Sequence, residues 1–213
     1  MKTSYLPAKE IERRANELIG KYEERYGLIS APVPVERIAE NLVDLVLEWN
    51  KIPENTGEII FAGLSPLQKK VIFNERRKNF YNHTDGLYNT VLAHEVGHWV
   101  LHVDAADLGL QPMLPETGIA SKFVYRSTGP NKPIEWQAHT FMGYLLMPYR
   151  LLRNYIETED LCDWSSLYYL RDKFDVTISA LVIRLKKMRL IYIDDDKRIY
   201  PSEAVSKGQT SML

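Results

Sequence analysis

His94-Glu95-Val96-Gly97-His98 constrains this chain more than any other feature. At 3.6 residues per turn, residues four apart on an α-helix lie one above the other on a single face. The surrounding sequence has the period to match. From Gly86 to Val103 the apolar residues Leu92, Val96, Trp99, Val100 and Val103 form a helical stripe. On such a helix both imidazoles can reach one metal ion. Glu95, one residue along, is turned towards a water on that ion rather than towards the ion itself. This is the spacing expected of a zinc hydrolase, with one Zn2+ per chain.

Catalytic zinc usually takes three protein ligands and keeps one open position. A metzincin would supply the third from a histidine ten residues after His94, but that position is Asp104, and Leu101 stands where its glycine belongs. His102 continues the stripe one turn beyond His98, which reads as a supporting or packed histidine. Glu135 is the better candidate. It opens a second helical stretch, Ile134 to Leu146, with small Ala138 three positions later to let two helices approach closely. Glu116 and His139 are its rivals. Gly97 costs a helix interior about 1 kcal/mol relative to alanine, which close packing of the Glu135 helix would explain.

The rest of the chain predicts an α+β fold: a zincin-like helical core, a small and mostly antiparallel sheet, and a C-terminal winged-helix-like segment. Pro7 to Tyr26 has a helical stripe of Ile11, Ala15, Leu18 and Tyr22, with Gly27 as its C-cap. Val35 to Asn41 reads as a short helix. Leu42 to Trp49, Glu58 to Ala62 and Lys70 to Asn74 read as strands, the last two joined by a turn at Ser65-Pro66. Asp104 to Pro133 reads as a long functional loop. Tyr149 to Ile156 is a further helix. Trp164 to Lys173, a turn at Phe174-Asp175-Val176, Thr177 to Met188 and a hairpin over 190–200 follow the order of a winged helix. The implied division is a metallopeptidase domain at 1–157, a winged-helix-like segment at 158–201 and a frayed tail at 202–213. Arg184, Lys186, Lys187 and Arg189 cluster in that segment. They form either a phosphate-contacting face or, the preferred reading, a solvated helix end whose cations suit the dipole.

Composition removes several classes. In 213 residues, 27 Lys+Arg against 28 Asp+Glu give a net charge of -1, so bulk electrostatics offers no argument for a nucleic-acid partner, and that partner is not expected. The longest uncharged apolar run, Phe141 to Tyr149, has nine residues, well short of the roughly 20 that cross a bilayer. Charges at Lys9, Glu10, Glu12, Arg13 and Arg14 interrupt any signal-peptide core, and the single cysteine, Cys162, has no intrachain partner. The expected setting is cytoplasmic, away from membranes.

His94 to His102, reading HEVGHWVLH, and Glu135 to Pro148, reading EWQAHTFMGYLLMP, together resemble the ImmA/IrrE family of zinc metallopeptidases. The family pattern is HExGHxxLH followed by E-x-x-A-N/D-x-F-A-x-x-LLMP, and Val33 to Leu42 is similar to its opening helix. The likeness covers roughly residues 30 to 150. It implies that His94, His98 and Glu135 ligate zinc and that Glu95 is the general base. Glu95 would take a proton from a zinc-activated water and pass it to the leaving amine. His139 departs from the pattern, standing where the family has Asn or Asp, a position that often orients a ligand histidine. The developing oxyanion needs a donor besides the metal, for which Tyr88, Tyr125, His139 and Tyr144 qualify by type. The family further implies a regulatory endopeptidase that cuts a helix-turn-helix repressor, often of a mobile element or stress response. The alternatives are a DNA- or protein-binding regulator with a vestigial metal site, and a peptidase for small peptides.

Overall fold

The computed structural model of the chain describes residues 5–103 and 133–207. The expected loop from Asp104, with Glu116 and Tyr125, lies outside these residues, and Pro133 already belongs to a helix. Helix α1 (Ala8–Tyr26) buries Ile11, Ala15, Leu18, Ile19 and Tyr22 and ends at Gly27, whose φ of 93° suits a residue without a Cβ. Helix α2 (Val35–Asn41) buries Val35, Ile38 and Ala39.

Three strands follow: β1 (Val46–Asn50), β2 (Ala62–Ser65) and β3 (Lys70–Asn74). Their order is β1-β3-β2. β2 and β3 form the expected antiparallel hairpin, pairing Ala62 with Phe73 and Ser65 with Lys70, but β2 lies at Ala62–Ser65 rather than at Glu58 to Ala62. β1, however, runs parallel to β3, from Val46 opposite Lys70 to Asn50 opposite Asn74. The sheet is therefore mixed, which corrects the mostly antiparallel expectation. Val71, Ile72 and Phe73 are all buried, so β3 takes the centre and needs a neighbour on each side. The first strand also starts later than expected, because Asp44 adopts φ 56° and interrupts the extended run.

The long excursion from β1 to β2 is held by one buried polar residue. Asn74 Oδ1 accepts from the Ile52 and Arg76 amides, while Nδ2 donates to the Ile60 carbonyl at 2.9 Å. Glu54 accepts two bonds from the Arg77 guanidinium, at 2.8 and 2.7 Å, and one from the Ile60 amide. A 3-10 turn (Glu75–Arg77) and helix α3 (Lys78–His83), neither expected, come next. The Tyr81 hydroxyl on α3 donates to the Phe61 carbonyl at 2.8 Å, which fixes the entry to β2.

Helix α4 (Leu87–His102) is the axis of the fold. It is buried on almost every side from Val91 to His98, as a helix enclosed by other elements must be. It makes its most extensive contact with α5 (Pro133–Leu146). A Cβ on Gly97 would lie 3.0 Å from the Ala138 carbonyl oxygen and 3.3 Å from the Phe141 Cβ. Gly97 and Ala138 thus allow the close helix approach that their sizes suggested.

Helix α6 (Tyr149–Thr158), α7 (Trp164–Phe174), α8 (Ile178–Lys187) and a two-stranded antiparallel ribbon of β4 (Tyr192–Ile193) and β5 (Ile199–Tyr200) complete the expected order of elements. Asp163 caps α7 and Thr177 caps α8, each accepting an amide three residues on. A one-turn helix α9 (Glu203–Ser206) stands where fraying was expected. One buried apolar cluster runs from Ile11 to Ile199.

Of the four clustered basic residues, Arg184 and Lys187 pack against α5, while Lys186 and Arg189 are exposed, as a solvated helix end would have them. Arg184 is buried, with its guanidinium 4.5 Å from the centre of the Tyr144 ring and its Nε donating to the Met147 carbonyl. Lys187 Nζ donates to Thr140 Oγ1 at 2.9 Å and lies over the Trp136 ring. Both cations fasten α8 to α5, because their long stems cover apolar surface on the way to polar partners.

Candidate metal centre

Helix α4 presents His94 and His98 on the side that faces α5, and α5 presents Glu135 from its first turn. One ligand atom from each lies within 4.8 Å of the other two. His94 Nε2 and His98 Nε2 are 3.0 Å apart, and Glu135 Oε2 is 3.3 Å from the first and 3.6 Å from the second. Around a tetrahedral ion with nitrogen and oxygen bonds of about 2.0–2.1 Å, neighbouring ligand atoms should stand about 3.3 Å apart. The three observed edges bracket that figure. Two neutral imidazoles and a carboxylate also form a donor set suited to a divalent first-row metal. The residues fit such an ion, and the three can hold one.

The support of these groups is as specific as their spacing. His98 is fully buried. Its Nδ1 lies 3.3 Å from His102 Nδ1, and His102 Nε2 lies 3.3 Å from Gln137 Oε1 on α5. A neutral imidazole carries one proton. With the His98 Nε2 lone pair reserved for a metal, its proton sits on Nδ1 and is donated to His102. The His102 proton then sits on Nε2 and is donated to Gln137. This relay ties the two helices together and selects the tautomer of His98.

Electrostatics follow from burial and from the Glu135 charge. Burial pushes His94 and His98 below the ordinary histidine value, although Glu135 pulls the other way. Their neutral forms are thus favoured, the forms in which an imidazole can ligate a metal. Burial alone would raise Glu135, but the adjacent His94 and His98 rings outweigh this and hold it well below the usual carboxylate range. Glu95 is 3% exposed, and burial, then the Glu135 charge, pushes it up to about 8. Its Oε2 is buried with no hydrogen-bond partner among the described residues. A buried oxygen left open in this way is ready to accept from a substrate or water.

The other anticipated residues fall into three groups. His139, four residues after Glu135 and so on the same side of α5, has its ring centre 4.4 Å from that of His94. Burial, reinforced by His94, lowers it to about 4. His102 sits in the relay. Tyr144 is nine residues from Glu135, about half a rotation around the helix, and it faces Arg184 instead. Tyr88 stacks on Phe73 at 4.7 Å, under the sheet. Of the four groups that qualified by type as donors, Tyr144 thus packs with Arg184 and Tyr88 with the sheet, and α-helical periodicity alone sets Tyr144 apart from Glu135. Glu116 and Tyr125 lie outside the described residues. Sequence reasoning missed Gln137, whose spacing two residues from Glu135 gave no sign that it would meet His102.

A pocket of about 510 Å3, counting its open mouth, lies beside His94 and Glu95. Among the described residues, no helix is long and apolar enough to cross a membrane.

A helical HExxH glutamate beside a His-His-Glu cluster is the arrangement of a metal-dependent hydrolase. Comparison with known families agrees and is more specific: the peptidase M78 model, described as the IrrE N-terminal-like domain, matches residues 81–186. The chain belongs to this ImmA/IrrE family, which is one of metallopeptidases. The match begins after the Val33 to Leu42 stretch and ends within α8, further towards the C-terminus than the motifs that suggested it. No curated protein matches the chain.

Proposed function

We propose that the protein is a cytoplasmic zinc-dependent endopeptidase, with His94, His98 and Glu135 as ligands and Glu95 as general base. The observation that carries this reading is the triangle of 3.0, 3.3 and 3.6 Å between three ligand atoms, with the open Glu95 carboxylate on the same helix. His94, His98 and Glu135 would hold a divalent ion, which would supply Lewis acidity for a peptide carbonyl and a water and would favour the ionised form of Glu95.

The chain's own residues do the rest. Glu95 Oε2 accepts the proton of the attacking water. The water oxygen bonds to the carbonyl carbon, the C–N bond breaks, and Glu95 returns the proton to the departing amine. Neutral His139 carries one N–H and lies on the cluster side of α5, so it is the residue we assign to the carbonyl oxygen as its charge develops. By family likeness the substrate is a helix-turn-helix repressor.

The test is metal analysis and cleavage on three proteins. Wild type should bind one zinc and cut a helix-turn-helix repressor. Glu135→Ala should lose most of its zinc. Glu95→Gln should keep zinc near one per chain while cleavage falls by about 10²–10⁴-fold. Full activity in Glu95→Gln, or full zinc retention in Glu135→Ala, would refute the assignment. An intact biological output without cleavage would favour a binding regulator.

A further inference from the structure

The pocket beside Glu95 has walls from three separate parts of the chain. Phe61 comes from the approach to β2, Leu87 and Val91 from the first turns of α4, and Met142 from α5. These walls are apolar. The fourth wall is Thr177 and Ser179, at the N-terminal end of α8.

The junction that brings that wall into place is tight. Gly86, at φ 67°, packs so closely on Val176 that any Cβ would overlap its backbone. The Thr177 amide donates to Thr90 Oγ1 at 3.1 Å, and Asn89 Nδ2 donates to Asp175 Oδ2 at 2.6 Å. Arg171 pairs with Asp85 at 3.0 Å. The turn between α7 and α8 is therefore fixed to the start of the helix that carries His94 and Glu95. In a DNA-reading helix-turn-helix, the first residues of the second helix face base edges. Here those residues face the pocket instead.

From this geometry we propose that the pocket receives an apolar substrate side chain of leucine or methionine size next to the scissile bond, and that the C-terminal helix pair, through Thr177 and Ser179, sets how large that side chain can be. The proposal rests on the peptidase reading for the word substrate, while the pocket and its fourth wall stand apart from it. The depth is bounded by Val91 and Met142, both buried. The mouth is bounded by Ser179, which is exposed, so a larger residue there narrows the pocket without disturbing the core.

The experiment uses the full chain as wild type, Ser179→Val and Ser179→Trp. In the first arm, a complex peptide mixture is incubated with each zinc-loaded protein and the cut sites are read by mass spectrometry. Wild type should favour Leu, Met, Ile or Phe at one position flanking the cut. Ser179→Trp should shift that preference to Ala and Gly by tenfold or more, and Ser179→Val should fall between, since a hydrophobic pocket discriminates by about 10–200-fold per methylene-sized change. An absent apolar preference, or one that the substitutions leave unmoved, overturns the proposal.

In the second arm, N-acetyl-leucine amide and N-acetyl-glycine amide are titrated against the same proteins and followed by saturation-transfer NMR. Only the leucine compound should bind, and at least tenfold more weakly to Ser179→Trp. If no peptide is cut, the peptidase reading fails while this arm still decides the pocket. Absent leucine-amide binding, or binding indifferent to Ser179→Trp, overturns it.

Discussion

Replacing His102 with phenylalanine isolates what the relay behind His98 contributes. The ring volume is nearly kept, so packing changes little, but both nitrogens are lost. The His98 Nδ1 proton loses its acceptor at 3.3 Å, and Gln137 Oε1 loses its donor at the same distance. In a site where His98 is fully buried, water cannot substitute freely. Two effects should follow. The imidazole is no longer held in the tautomer that leaves Nε2 open, and removal of such supporting partners typically lowers metal affinity about 10–100-fold, or about 1.4–2.7 kcal/mol. Separately, losing these two hydrogen bonds at a buried site should destabilise the metal-free protein by about 1–3 kcal/mol. Competition for zinc against a chromophoric chelator measures the first, and urea unfolding of the metal-free protein measures the second. His102→Gln retains one acceptor and one donor, and it should recover part of both losses. A zinc affinity for His102→Phe within about twofold of wild type would refute the reasoning, whatever happened to stability.

Three further outcomes are expected. Gly97→Ala places a methyl 3.0 Å from the Ala138 carbonyl, and the crowding of α4 against α5 should outweigh the helix-propensity gain of about 1 kcal/mol, so the melting temperature should fall and zinc affinity with it. Gly86→Ala combines a positive φ with overlap on Val176 and should cost about 2–3 kcal/mol in denaturant unfolding, more than any exposed-loop glycine. The Arg77 guanidinium is the chief reason Glu54 lies below its ordinary value of 4.5, against the opposing effect of burial. A depressed folded-state pKa gives stability that is fully present above 4.5 and lost as pH falls through the folded value. Glu54→Gln should therefore unfold more easily at pH 7 yet show a flatter decline below pH 4.5, as thermal melts across pH would report.

Much of the site was legible because it is local. The HExxH spacing and the apolar stripe place α4, and Glu135, Ala138 and Phe141 place the facing side of α5, all from residues within a few turns of one another. Gly97 and Ala138 even announce the contact between the helices by their size. What the sequence conceals is set by partners far along the chain. The parallel course of β1 depends on an excursion held by Glu54, Asn74 and Arg77, with Glu54 20 and 23 residues from the other two. Asn74 alone reads as a polar strand end. Arg184 looks like a surface cation until α5 is seen beside it. Thr177 and Ser179 look like an ordinary helix start, since nothing local reveals that Gly86 lies beneath Val176.

The seam at Gly86 and Val176 has a practical corollary for anyone trimming the chain. A cut near residue 157, where composition invites one, would strip the first turn of α4 of its cover and leave Thr90 and Asn89 facing solvent. It would also expose Leu145 and Met142, which share a buried cluster with Leu181 and Leu185. The smallest piece that keeps its hydrolytic helix seated therefore extends through Ile199, and the stretch that resembles an add-on is part of the foundation.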